Sequence, residues 1–259
     1  MTVKKPLRTF LISVTLAPIL LSCQQNARLT VQRQISGPYV NNYLVYDSAS
    51  REAALIDIGG PIDSLLATID QNDLKIKYVL FTHGHIDHVL GWAALRDRFP
   101  EAKVAMHRLD YEDLQTQLDW ILQNLPPEEI AEWKSDPEVE KIFHFDAAAF
   151  GQPDFFLEDN KIISLGGVRI QAIHAPGHSR GSICFQVGNY LFTGDVLMRR
   201  DVGRADFQNS SREDLVRSVR RLYSLFPDCT IVCPGHGRPT DIGSEKTNNP
   251  KVSLTTSAL

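Results

Sequence analysis

The 259-residue chain has 43% hydrophobic and 22% charged residues, values that are ordinary for a globular protein and exclude a disordered or fibrous one. Its formal net charge of −4 gives no excess of basic surface, so we expect no nucleic-acid partner. The 4 cysteines are too few to indicate a small fold held together by disulfides.

The N-terminal segment has the pattern of an export signal. A basic start is followed by residues 10–21, which are almost wholly apolar but too few to cross a membrane, since spanning needs about 20 apolar residues. Cys23 closes the stretch in the sequence Leu-Leu-Ser-Cys, which resembles the lipobox of bacterial lipoproteins. The resemblance implies that residues 1–22 are a lipoprotein-type signal peptide and that Cys23 is lipidated. It also implies an exported protein, anchored to a membrane and facing the periplasm or the cell exterior; an ordinary cleaved signal with a chance cysteine is the alternative.

Beyond the signal, the chain alternates between predicted strands and helices. Short apolar or β-branched runs bounded by turn residues predict strands at residues 29–35, 42–46, 53–58, 76–82, 103–106, 161–165, 168–174, 182–187, 190–193 and 230–233. Apolar residues at helical spacing predict helices at residues 62–69, 92–99 and 212–225. Two strand-rich halves that each carry helices predict two packed sheets with helices outside them. We therefore expect an α/β protein with one four-layer αββα domain over residues 28–250.

Residues 109–145 differ from the rest of the chain, because they carry helical segments broken at Pro126-Pro127. Tyr111, Trp120 and Trp133 lie in this insertion. They have two interpretations, packing in a core or lining a lid over a substrate, and the sequence leaves both open.

The strongest chemical signal is a loop that directly follows a predicted buried strand. Residues 82–88 read Thr-His-Gly-His-Ile-Asp-His. Imidazoles and a carboxylate are the usual ligands of zinc and related divalent ions. His85 and His88 are three residues apart and need not share a face, which suits two adjacent metals better than one. We expect Gly84 to allow the tight bend that brings these side chains together.

Three further candidate ligands follow predicted strands in glycine-bearing turns. His178 stands in Pro-Gly-His, Asp195 in Thr-Gly-Asp and His236 in Pro-Gly-His-Gly. Several strand ends would then meet at one edge of the fold, where rigid elements hold ligand geometry well.

The pattern His-x-His-x-Asp-His, with these three later residues, resembles the complete ligand set of the metallo-β-lactamase fold. The resemblance covers nearly all of residues 30–250. It implies one metal held by His83, His85 and His178, a second held by Asp87, His88 and His236, and a bridge at Asp195. It also implies two divalent ions, zinc in the first place and iron or manganese otherwise. In the β-lactamases proper a cysteine commonly takes the position of Asp195, which argues against antibiotic hydrolysis.

Two further stretches resemble the short bacterial glyoxalase II-like hydrolases. These are residues 203–207, Gly-Arg-Ala-Asp-Phe, and residues 234–237, Pro-Gly-His-Gly. The resemblance implies hydrolysis of a small thioester or ester by a metal-bound hydroxide, with Asp87 and Asp195 as the catalytic carboxylates that orient it. We expect the chain to lack the C-terminal helical domain with which long glyoxalase II enzymes contact glutathione, so the thiol stays open.

The sequence leaves the role of Arg204 and the class of reaction open. Arg204 either contacts an anionic substrate or forms an internal salt bridge with Asp206. Residues 203–208 also resemble a stretch of the persulfide dioxygenases, which hold one iron with two histidines and an aspartate. The ligand set is further compatible with a lactonase or with a non-catalytic metal-binding lipoprotein. We expect His107, His144 and His174 to be structural or surface residues.

Overall fold

The computed structural model describes residues 27–252. The predicted signal peptide, residues 1–22, and the predicted lipidation site Cys23 lie outside the described residues. Within 27–252, no helix combines the length and the apolar character that a membrane crossing requires.

The first sheet has six strands in the order β1-β2-β3-β4-β5-β6. Their bounds are β1 Leu29–Ser36, β2 Val40–Asp47, β3 Glu52–Ile56, β4 Lys75–Leu80, β5 Lys103–His107 and β6 Phe155–Leu157. Strands β1 to β3 form the predicted antiparallel meander, and β3 to β6 pair in parallel. The carboxyl ends of β3 to β6 therefore point to one edge of the sheet.

The second sheet has six strands in the order β12-β11-β10-β9-β8-β7. Their bounds are β7 Ile162–Leu165, β8 Val168–His174, β9 Ile183–Val187, β10 Tyr190–Gly194, β11 Ile231–Pro234 and β12 Thr240–Asp241. β9 is antiparallel to both β8 and β10, and β10 is parallel to β11. Strands β8, β10 and β11 thus share a direction and end at the same edge.

Helices cover the outer faces of both sheets. Their bounds are α1 Asp63–Gln71, α2 Ile86–Val89, α3 Trp92–Leu95, α4 Arg108–Leu114, α5 Gln117–Asn124, α6 Pro127–Ser135, α7 Pro137–Glu140, α8 Ala147–Phe150, α9 Arg212–Leu225 and α10 Ile242–Asn248, with 3-10 turns at Arg96–Arg98 and Lys141–His144. The N-cap residue of α9 is Ser211, whose hydroxyl oxygen accepts the backbone N–H of Asp214 at 3.2 Å. Leu215, Val219 and Leu222 are fully buried at helical spacing, so α9 packs this face on the second sheet.

Three apolar clusters define the layers. The central cluster joins the inner faces of the two sheets, where the rings of Tyr43 and Phe192 meet edge to face at 5.0 Å. A second cluster packs α1, α3 and the helical insertion on the outer face of the first sheet, and a third packs α9 and Ile242 of α10 on the second. The predicted four-layer αββα arrangement is confirmed.

The structure adds elements that the sequence did not reveal. β6, β12 and α10 were not predicted, and the loop predicted over residues 83–88 turns into helix α2 at Ile86. The strands concerned have only 3 and 2 residues, which is too short for an alternating pattern to be recognised.

Candidate metal centre

The predicted ligands come together where strand ends meet. β4 leads into the loop that carries the first three histidines, while β8, β10 and β11 end shortly before His178, Asp195 and His236. The ligand atoms form overlapping groups in which all atoms lie within 4.8 Å of one another. The groups are His83, His85 and His178; His83, His88 and Asp195; and Asp87, His88 and His236. Every predicted ligand belongs to at least one group.

Asp195 lies between the two outer groups. Its Oδ2 is 3.7 Å from Nε2 of His178 and 3.6 Å from Nε2 of His236. Its Oδ1 is 3.6 Å from Nε2 of His88. One carboxylate therefore reaches the ligand atoms of both groups, which is the placement that a bridging ligand requires.

The hydrogen bonds beneath the cluster establish which ring nitrogen of His83 carries a proton. The Thr82 hydroxyl lies 2.8 Å from Oδ2 of Asp57 and 3.0 Å from Nδ1 of His83. A hydroxyl has a single proton and a carboxylate only accepts, so Thr82 donates to Asp57 and accepts from His83. Nδ1 of His83 is therefore the protonated nitrogen, and Nε2 presents its lone pair to the cluster.

Three other histidines of the cluster are oriented in the same way. Nδ1 of His88 donates to Oδ2 of Asp57 at 2.9 Å. Nδ1 of His178 donates to the Arg204 carbonyl at 2.7 Å, and Nδ1 of His236 lies 3.2 Å from the Tyr39 carbonyl. Such partners fix the tautomer and the ring orientation, so that Nε2 faces the centre.

Burial sets the charge of the first group. It lowers the pKa of His85 to about 3, with His178 adding to the effect. Burial, then the charges of His88 and His178, hold the pKa of His83 well below its ordinary value, and burial also lowers the pKa of His178. These imidazoles are neutral at neutral pH, which is the form that ligates metals.

The second group is dominated by carboxylates. Burial lowers the pKa of His236, but Asp195 and Asp87 outweigh it and raise that pKa to about 10. Burial raises the pKa of Asp87 and of Asp195, but the charges of His88 and His236 outweigh it and leave both pKa values below their ordinary range. Both carboxylates are thus ionised at neutral pH.

Two observations indicate that the imidazole and carboxylate groups of this cluster are suited to bind divalent cations. Nε2 of His83 and Nε2 of His178 face each other at 3.2 Å, and two lone pairs cannot hydrogen bond to each other. Nε2 of His88 and Oδ1 of Asp195 are buried and have no hydrogen-bond partner among the described residues. Buried polar atoms are almost always satisfied, so cations between these atoms account for the arrangement.

Gly84 is required by a close approach. We expected it to allow a tight bend, but it does not adopt a positive φ. A methyl group on Gly84 would instead lie 2.6 Å from the carbonyl oxygen of Asp110. The loop can pack on Asp110 only because this position has no side chain.

A cavity of about 320 Å³ opens beside the ligands. Its ligand side consists of His85, Asp87, His178, Asp195 and His236. The opposite wall comes partly from the helical insertion, which contributes Gln117, Ile121, Trp133, Val139 and Ile142.

The aromatic residues of the insertion therefore divide between the two interpretations, a lid over a substrate and packing in a core. Trp133 lines the cavity, as expected for a lid. Tyr111 packs against Phe150 and Phe156, as expected for a core. Trp120 packs against Phe207, which lines the cavity, at a ring distance of 6.1 Å.

Arg204 lies in the cavity wall and forms the internal salt bridge that the sequence suggested. Its Nε and Nη2 atoms donate to Asp206 at 2.9 and 3.0 Å. Nη1 donates to Glu129 of α6 as well, and the guanidinium lies over the ring of Phe207 at 4.5 Å. Two carboxylates thus engage this arginine.

The remaining histidines lie outside the ligand groups. His107 and His174 stack on each other with ring centroids 4.5 Å apart, and Nε2 of His174 donates to the Arg180 carbonyl at 2.9 Å. His144 is exposed.

Sequence reasoning missed the residues that support the ligands, above all Asp57 and Asp110. Asp57 is 1% exposed and accepts the backbone N–H of Thr82 at 2.8 Å in addition to the bonds above. A signal for it existed, because a charged residue interrupts the apolar run over residues 53–58. Asp110 had no comparable signal, since it lies in a helical pattern at the start of the insertion.

Comparison with known proteins supports the same grouping. Residues 36–236 match the sequence profile of the metallo-beta-lactamase superfamily. The chain is 32% identical over 212 residues to hydroxyacylglutathione hydrolase GloC of Haemophilus influenzae, a match that covers 81% of this chain and 91% of that protein.

Two solved structures show the same architecture. ETHE1 from Myxococcus xanthus superposes with a TM-score of 0.66 at 28% identity, covering 88% of this chain and 86% of that one. The protein TTHA1623, solved in a di-iron-bound form, superposes with a TM-score of 0.64 at 32% identity, covering 85% of this chain and 98% of that one.

Proposed function

The chain belongs to the metallo-beta-lactamase superfamily and is a hydrolase of that family, and from this premise we propose that it cleaves small thioesters or related esters with two divalent ions. The observation that carries the proposal is the position of Asp195, whose oxygens lie within 3.7 Å of ligand atoms from both outer groups. The similarity to a hydroxyacylglutathione hydrolase supports the thioester class.

The proposed ligands divide as the resemblance implies. His83, His85 and His178 would hold one ion, Asp87, His88 and His236 the other, and Asp195 would bridge them. Divalent ions held by these residues would supply Lewis-acid chemistry, lowering the pKa of a bound water and polarising the carbonyl that is attacked. Zinc is our proposed metal because its usual ligands are these imidazoles and carboxylates, with iron and manganese as the metals to test beside it.

The residues of the chain supply orientation and the exclusion of water. The carboxylates of Asp87 and Asp195 are ionised and would orient the attacking water. Asp57 and Thr82 hold the rings of His88 and His83 in the tautomers that leave Nε2 free. The rings of Trp133 and Phe207 line the cavity and restrict the access of water to it.

The test is removal and return of the metal. The protein is stripped with a chelator, reconstituted separately with zinc, manganese or ferrous iron, and assayed for thiol release from an acyl thioester while bound metal is counted. We expect activity to disappear and to return with two ions per chain. His85→Ala should abolish activity, whereas the matched control His144→Ala, on the surface, should retain it.

The second candidate, an iron-dependent persulfide dioxygenase, rests on the resemblance of residues 203–208. It predicts a single iron per chain, oxygen consumption with a persulfide, and no thiol release from the thioester. The assembly of Asp87, His88 and His236 into a second ligand group favours the hydrolase.

We also propose that the protein is exported and anchored to a membrane through a lipid on Cys23. This proposal is supported by the sequence pattern at residues 10–23 alone.

A further inference from the structure

Much of the cavity wall beyond the metal ligands is apolar. This apolar part is formed by Ile121, Trp133 and Ile142 of the insertion and by Met198, Val202 and Phe207 from the segment after β10. Phe207 lies at the junction, because its ring is 5.2 Å from that of His85 and 6.3 Å from that of Trp133. A group that enters beside the ligands must therefore pass along aromatic and aliphatic surface.

Away from the metal ligands, the described lining residues offer an anion no basic side chain that lacks a carboxylate partner. Arg204 is the sole lysine or arginine among the described lining residues, and Asp206 and Glu129 already engage it. In this pair the side chain of Glu129 is 23% exposed and that of Arg204 is 43% exposed. The lining further contains Asp201, whose carboxylate adds negative charge.

We infer that this cavity selects thioesters whose acyl group is apolar and uncharged. It discriminates against thioesters whose acyl group carries a carboxylate. The inference rests on the proposed function, because it names which substrates the same site takes. A free arginine in this position would bind anions. Arg204 does not, because its carboxylate partners already occupy the guanidinium.

The physical reason is the difference in desolvation. An apolar group that enters gains by leaving water for contact with apolar side chains such as Ile121, Trp133 and Phe207. A carboxylate must either remain unpaired in this wall or displace Asp206 or Glu129 from Arg204, and either route leaves one anion without its partner. Specificity of this kind comes from penalising the wrong ligand.

The experiment compares two thioesters that differ by one charged group. Butanoyl and succinyl thioesters of N-acetylcysteamine have acyl chains of equal length, and the second carries a carboxylate where the first has its terminal methyl group. We expect kcat/KM to be at least about tenfold higher for the butanoyl compound. Binding to the protein, followed by the change in tryptophan fluorescence to which Trp133 in the cavity wall contributes, should show the same order.

Two variants test the cause. The double substitution Glu129→Gln with Asp206→Asn releases Arg204 and should raise the succinyl-to-butanoyl ratio of kcat/KM by about tenfold. Asp70→Asn, which breaks an exposed pair with Arg98, is the control and should leave the ratio unchanged.

The outcomes separate the two proposals. Equal or preferred use of the succinyl compound by the wild type, or an unchanged ratio in the double variant, overturns the inference and leaves the hydrolase intact. If neither thioester is cleaved by protein that contains two ions, the proposed function fails, and the binding order alone decides whether the cavity selects apolar groups.

Discussion

Oδ2 of Asp110, in helix α4, accepts the hydroxyl of Ser179 at 2.6 Å, which ties this helix to the loop that carries His178. The same oxygen accepts the backbone N–H of Gly84 at 2.9 Å, between the first two histidines of the metal loop. Oδ1 accepts the N–H of Gly181 at 2.6 Å. Asp110 is 1% exposed, and burial raises its pKa to about 6, so it is ionised at neutral pH and can accept all three bonds.

Asp110→Asn should therefore weaken metal binding without removing a ligand. An amide replaces one acceptor oxygen by a donor, so at least one backbone N–H, of Gly84 or of Gly181, loses its partner in either orientation. We expect affinity for the first ion to fall by about 10- to 100-fold, the range seen when partners of metal ligands are lost. Competition with a chromogenic chelator measures this affinity.

The matched control is Asp154→Asn. Asp154 also accepts a backbone N–H, that of Val104 at 2.8 Å, but it does so away from the ligands. Unchanged metal affinity in Asp110→Asn, or an equal loss in both variants, would show that Asp110 does not position the metal loops.

The turn between β1 and β2 is tied to the helical insertion by one side-chain bond. The hydroxyl of Tyr39 donates to Asp136 at 2.8 Å, and the neighbouring Pro38 lines the cavity. Tyr39→Phe removes this bond but keeps the Tyr39 carbonyl that faces His236. Because the bond is exposed, we expect a rise in KM of about two- to fivefold with kcat unchanged.

Steady-state kinetics with the butanoyl thioester test this prediction. Tyr78→Phe, whose ring packs on Phe155 in the first sheet, serves as control. A fall in kcat at constant KM would mean that Tyr39 acts on the chemistry rather than on the wall of the cavity.

The lipid anchor is tested by Cys23→Ser. The thiol is the acceptor of the lipid, so the variant should be recovered from the aqueous phase after detergent partition, whereas the wild type should enter the detergent phase. Ser22→Ala leaves the thiol in place and should behave as the wild type. Recovery of the wild-type chain in the aqueous phase with Met1 intact would contradict the proposal.

Much of the site could be predicted because its ligands follow strands. The apolar runs before His83, His178, Asp195 and His236 predict buried strands, and glycine-bearing turns mark where each one ends. The local sequence pattern therefore predicts that these ligands meet at one edge of the fold. Arg204 is an example of a contact that could be predicted only in part. The sequence indicated Asp206, two residues away, as its partner. It gave no sign of Glu129, which lies 75 residues away along the chain.

The supporting residues could not be predicted for the same reason. Asp110 acts on Gly84 and Ser179, which are 26 and 69 residues away, and no periodic pattern encodes such contacts. Whether a residue of the insertion lines the cavity or packs in the core also depends on tertiary packing. Tyr111 and Trp133 have the same apolar character in the sequence and differ only in the residues that they contact in the fold.

The central claim is that Asp195 bridges two ions. Asp195→Asn keeps the volume of the side chain but loses its charge, which offsets repulsion between two cations about 3.5–4 Å apart. We expect loss of the second ion and a fall in turnover of at least about 100-fold, or roughly 2.7 kcal/mol in the barrier. Folding should persist, because the apolar clusters around the two sheets do not depend on this residue.

The most direct measurement is metal stoichiometry of the purified wild type and of Asp195→Asn, taken on the same samples as thioester hydrolysis. We expect two ions and full activity in the wild type. In the variant we expect one ion and an activity that is lower by at least about 100-fold. Two ions retained with near-normal turnover in Asp195→Asn, or a single tightly bound iron in the wild type at saturating metal, would contradict it.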